Sequence, residues 1–166
     1  YKRRGAADHQ VPPVSLLLAT DVDKYVKALT AYREEREPDW VHYFSRTVID
    51  AANAGVEFGA RLSDLQEQWR AQGRVRGGSP ADRLIDLLPA QPVIDVRAAA
   101  ELTGASAEAA RLALNTLDER GVVVRANQRD WGRVWEANGL WNLLDRFEEG
   151  LATTDGRPGR AAPRTR

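Results

Sequence analysis

Apolar residues recur through the first half of this chain at a spacing that belongs to helices. Positions 41, 44, 48, 51, 55, 58, 62, 65 and 69 hold Val, Phe, Val, Ala, Gly, Phe, Leu, Leu and Trp. That unbroken three-four alternation predicts one long helix, opened by Pro38-Asp39-Trp40 and running to about Arg70. At about 1.5 Å per residue it extends on the order of 45 Å, more than a small domain covers by itself. Before it, Val22, Tyr25, Val26, Leu29 and Tyr32 mark a shorter helix ending at Arg33, with Thr20 or Asp21 as its N-cap and the charged turn Arg33 to Glu37 with Pro38 behind it. Val14 to Ala19 reads as a short apolar segment. Residues 6 to 13, with Asp8, Pro12 and Pro13, read as a loop. The basic run Lys2-Arg3-Arg4 followed by Gly5 has the form of a helix close, and suggests a helix that precedes Tyr1.

The pattern then breaks and changes period. Residues 71 to 80 contain Gly73, Gly77, Gly78 and Pro80 among arginines, the composition of a linker. From Ala81 a helix carries Leu84, Ile85, Leu87 and Leu88 up to Pro89, and Val93 to Val96 is a short strand. Arg97 to Thr103, closed by Gly104, and a second helix from its cap Ser106 to Arg120, closed by Gly121, have helix-turn-helix spacing. In that second helix Ala109, Leu112, Ala113 and Leu117 are expected to face inward. Ser106, Glu108, Arg111, Asn115 and Glu119 are left to the solvent side. Val122 to Arg125, a polar turn through Gly132 and Arg133 to Glu136 form a β-hairpin, with Trp135 on its buried face and Trp131 exposed. Asn138 then caps an amphipathic helix bearing Leu140, Trp141, Leu143, Leu144 and Phe147. The expected fold is therefore mainly α: helices over 1–70, a linker over 71–80, a winged helix-turn-helix with a small β-hairpin over 81–150, and a disordered tail over 151–166.

Composition narrows the chemistry. The 24 basic and 24 acidic residues cancel, so no global field draws the chain to nucleic acid or membrane. Without cysteine there is no disulfide, thiolate metal site or thiol nucleophile, which suits the cytoplasm. No apolar run approaches the roughly 20 residues of a membrane span. His42 lies one residue past the apolar stripe with no carboxylate or histidine four residues away, so no metal site is expected. The acid pairs Asp21/Asp23, Glu34/Glu35 and Glu148/Glu149 fall on caps or solvated surfaces, so no catalytic residue is assigned.

Val11-Pro12-Pro13-Val14-Ser15-Leu16-Leu17-Leu18-Ala19-Thr20 followed by Asp21 to Leu29 resembles the segment that follows the catalytic helix in Fic (Fido) proteins. Members of that family transfer AMP, or another phosphate-containing group, to hydroxyl side chains. Their signature, H-P-F-x-x-G-N-G-R, supplies a histidine base and a glycine-rich turn that holds phosphate oxygens. It is absent here, since His9 is followed by Gln10 and His42 by Tyr43. The inhibitory pattern Ser/Thr-x-x-x-Glu-Gly/Asn is not evident either. The resemblance implies the non-catalytic C-terminal part of a Fic-like protein, with no cofactor in this chain and ATP and Mg²⁺ used by the parent. Residues 81–150 resemble the winged-helix domain that some Fic proteins carry behind the catalytic domain. Tyr25 stands where the family often has a tyrosine pair beside the nucleotide pocket, with Val26 in place of the second aromatic.

The partners expected on this reading are the N-terminal Fic half or a second copy of the chain, and duplex DNA for the winged helix. Arg111 and Asn115 are candidates for base edges, with Ser106 beside them. Arg125, Arg129 and Arg133 are candidates for phosphates. Residues 80–150 nevertheless hold eight arginines, no lysine and twelve acids, a net charge of 8 − 12 = −4. The alternative is a free-standing winged-helix regulator that dimerises through its long helix.

Overall fold

The computed structural model describes residues 13–127 and 132–153. The expected loop and helix close within residues 1–12, the tail from 154, and Arg129 and Trp131 lie outside them. Among the described residues the elements run α1 (Val14–Thr20), α2 (Val22–Arg33), α3 (Glu37–Gly73), α4 (Pro80–Leu87), β1 (Val93–Asp95), α5 (Val96–Thr103), α6 (Ala107–Glu119), β2 (Val123–Arg125), β3 (Val134–Ala137) and α7 (Leu140–Thr153). The protein is mainly helical with one small antiparallel sheet. It divides into two compact units, one comprising the chain up to Gly59 together with Asp145 onward, the other Ala60–Leu144.

In the first unit the apolar stretch after Pro13 is a helix, because the Pro13 carbonyl accepts from the amides of Leu16 and Leu17 at 3.1 and 3.3 Å and starts a turn. Asp21 caps α2 by accepting from the Lys24 amide at 2.9 Å. The ring of Trp40 gathers Tyr25, Tyr32, Tyr43 and Phe44, with ring centroids 5.6 to 6.3 Å away and Phe44 stacked at 18°. Phe58 meets Phe147 at 4.8 Å. The stripe read from the sequence faces inward at Ala51, which is fully buried, and is half-buried at Phe44, Val48 and Phe58. Val41 departs from it and is 58% exposed. Ile49 and Val56, off the stripe, are exposed as well.

The second unit has a single dense core. Trp69, Leu84, Ile85, Leu88, Ile94, Leu114, Leu117, Val122, Val123 and Trp135 are all essentially inaccessible to solvent. Leu62, Leu65 and Trp69 reach that core from the last turns of α3, so residues 60–73 belong to the second unit rather than the first. The Trp69 indole donates to the Asn138 carbonyl at 3.0 Å, and the Asn138 side chain donates to the Gly121 carbonyl at 2.8 Å. Hydroxyl and carboxylate caps start the helices: Ser79 on Asp82, Asp95 on Ala98 and Ser106 on Ala109. Gly104 and Gly121, at φ 66° and 70°, end α5 and follow α6 in the left-handed region.

The sheet order is β1-β3-β2, with Ile94 opposite Trp135 and Val123 opposite Ala137. Trp135 and Ala137 point to the core while Val134 and Glu136 stay half-buried, the alternation expected of a strand packed on one side. Helix, strand, two helices and a hairpin in this order make the winged-helix arrangement. At the base of the hairpin loop, the Asn127 amide donates to the Gly132 carbonyl at 2.9 Å while its oxygen accepts from the Val134 amide at 3.3 Å.

One expectation within α6 is corrected. Leu112 does not face inward but is 53% exposed, and Ala110 and Leu114 join Ala113 and Leu117 in the core. At 100° per residue the buried four lie within about 100° of one another, and Leu112 falls almost opposite their centre, beside Glu119 on the solvent face.

Candidate nucleic-acid interface

The strand pairing that builds the sheet also brings three arginines to one place. Asp95 ends β1 opposite Val134, so Arg97 in the first turn of α5 and Arg133 just before β3 lie at the same end of the sheet. Arg111, on the exposed side of α6, completes the group. Together with Asp95, Val96, Gly132 and Trp135 these residues line an open groove of about 460 Å³. Its wall includes the fully buried Trp135, whose indole donates to the Asp118 carboxylate at 3.1 Å. Such a wall fixes the groove's shape, and the three arginines stand in it beside the Asp95 carboxylate.

Two of the three guanidinium groups are engaged by carboxylates of their own helices. Arg111 donates to both oxygens of Glu108, at 2.5 and 3.0 Å. Arg97 donates to Glu101 at 3.0 Å. Hydrogen bonding from Arg111, with its charge adding to the effect, holds the Glu108 carboxyl below the usual range. The same pairing raises Arg111, and Glu101 raises Arg97. The Glu108 contribution is present above its unfolded pKa and is lost as pH falls through its lowered folded value.

The other candidates from the sequence are distributed differently. Ser106 is exposed but uses its hydroxyl to cap α6. Asn115 is half-buried on the solvent side of α6. Arg125, exposed on β2, sits 3.5 Å from Asp118 and does not line the groove. Tyr25 belongs to the aromatic cluster around Trp40 in the first unit. Arg97 is the groove residue that periodicity misses. Its placement needs the β1–β3 register, although a basic residue two positions after a strand-ending Asp cap is a visible signal. Among the described residues no three histidines, cysteines or carboxylates are grouped to hold a metal ion, and no helix is long and apolar enough to cross a membrane.

The arrangement offers no described nucleophile with a base. It does offer a shaped groove lined by three arginines and Asp95, with an apolar side chain, Leu112, and an amide, Asn115, on the adjoining face of α6. Comparison with known proteins assigns no family: no family model matches this chain, and no curated protein is significantly similar to it.

Proposed function

We propose that this chain is the non-catalytic C-terminal part of a Fic-type protein, and that its winged-helix unit targets the parent by docking on the backbone of duplex DNA. The observation that carries the DNA assignment is the convergence of Arg97 from α5, Arg111 from α6 and Arg133 from just before β3 on one groove. Phosphate neutralisation supplies most duplex affinity, and a local cluster serves where the net charge of −4 over residues 80–150 does not. The Fic parentage rests on the resemblance of residues 11–29 and on the order of elements, helices followed by a winged helix.

Two experiments test the two halves. Sequencing the reading frame upstream of Tyr1 should find H-P-F-x-x-G-N-G-R, and the chain alone, given labelled ATP and Mg²⁺, should transfer no AMP. A frame without the motif removes the parentage. Fluorescence anisotropy with a short duplex at low salt should detect binding that weakens as salt rises. Substitution of Arg97, Arg111 or Arg133 by Ala should each shallow the log–log salt slope by up to about 0.9. Absence of binding at low salt removes the DNA assignment.

A second reading is a free-standing regulator that dimerises through α3. It is favoured by the exposure of Val41, Ile49 and Val56, which lie within about 80° of one another around that helix. The upstream frame and sedimentation of the isolated chain separate the two readings.

A further inference from the structure

We infer that the groove is self-capped: Glu108 and Glu101 hold the guanidinium forks of Arg111 and Arg97 in the place of phosphate oxygens, so that a phosphodiester must displace them to bind. The inference rests on the duplex reading above and adds a restraint that the reading does not contain.

The geometry is specific. A guanidinium presents paired donors that suit two oxygens of one carboxylate or one phosphate equally well. The Arg111 fork is filled in this way by Glu108, through Nε and Nη2 onto separate carboxylate oxygens. Arg97 is engaged through Nε by Glu101. Both partners lie one turn away on the same helix, at i,i+3 and i,i+4, so each pair forms without help from the rest of the fold. Both are exposed, with the Arg111 side chain at 46% and Glu108 at 65%, which keeps the pairs weak enough to exchange with solvent anions. The Asp95 carboxylate also lines the groove, but its oxygen already accepts from the Ala98 amide as the cap of α5. Glu108 and Glu101 are therefore the carboxylates that engage the two helix-borne arginines of the groove.

Exchange has a thermodynamic signature beyond affinity. When Arg111 leaves Glu108 for a phosphate, the phosphate loses its counterion, but the freed carboxylate acquires one. Net ion release is then smaller than the number of phosphate contacts. Glu108→Gln removes this offset while leaving an amide of the same shape near the helix start.

Titration of a short duplex against the full chain at several salt concentrations tests the inference. Glu108→Gln should tighten binding about fivefold at low salt and steepen the salt slope by up to about 0.9. Glu101→Gln should act in the same direction, and the double variant should show both increments. Arg111→Ala placed in the Glu108→Gln background should return the slope to that of the unmodified chain or below. Glu119→Gln makes the same change in net charge on the same helix face, where no arginine of the groove holds the carboxylate, and it should move the slope by much less. If Glu108→Gln and Glu119→Gln act alike, or neither changes the slope while the unmodified chain binds, the self-capping is wrong and duplex docking stands. If neither the unmodified chain nor any of these variants binds, both are overturned.

Discussion

The two units reach stability in different ways. In the second, large side chains from α3, α4, α6 and the sheet disappear into one core, and α4, α5 and α6 each start at a side-chain cap. In the first, the buried apolar residues among those described are Ala31, Ala51 and Leu151, and the aromatic rings around Trp40 are only half-buried or exposed. Leu16, Val22, Val26, Tyr32, Val41, Ile49 and Val56 are left open to solvent there. A unit with this surface gains less per residue from burial, since leaving a large aliphatic side chain wet forgoes about 1.5–3 kcal/mol. The contrast shows that a regular apolar stripe specifies a helix without guaranteeing a filled core beneath it.

Substitutions can break that contrast, beginning with the largest effect. Trp135→Ala removes a fully buried indole and its bond to Asp118, and should cost the winged-helix unit about 3–5 kcal/mol, read by denaturant unfolding. Trp40→Ala, at the half-buried centre of the aromatic cluster, should cost about 1–2 kcal/mol in the first unit. Equal losses at the two tryptophans would mean that the units are packed alike. Gly121→Ala forces a side chain into φ 70° with its Cβ 3.0 Å from the Gln72 amide nitrogen, and should cost about 1–2 kcal/mol. Val56→Asp should change stability by less than about 0.5 kcal/mol, because that side chain is 73% exposed. It should nevertheless reduce binding of a hydrophobic dye, or any self-association seen in sedimentation. A large stability loss at Val56 would show that its face is already covered.

Much of the second unit can be read from local chemistry. Ser79, Asp95 and Ser106 announce helix starts, Gly104 and Gly121 announce ends, and the alternation at Val134 to Ala137 places Trp135 inside. Orientation within α6 is harder, since its apolar residues 109, 110, 112, 113, 114 and 117 fit more than one three-four phase. Only the position of α4, α5 and the sheet selects the phase that exposes Leu112. The helical state of Val14–Thr20 is obscured by Pro12-Pro13, whose second member begins the helix by offering its carbonyl. The groove is half legible: Arg111 and Arg133 stand out as exposed cations, but their meeting with Arg97 depends on strands paired across about forty residues of sequence.

The Asn127 side chain, following β2, reaches across to the approach to β3, donating to the Gly132 carbonyl and accepting from the amide of Val134. A loop closed at its neck by a side chain is uncoupled from the length of what it encloses. Doubling such a loop adds only about 0.6 kcal/mol of closure entropy. The join between Asn127 and Gly132 is therefore where this scaffold should accept grafted peptides, fluorophore attachment sites or wings of altered reach, with the register of β2 and β3 unchanged.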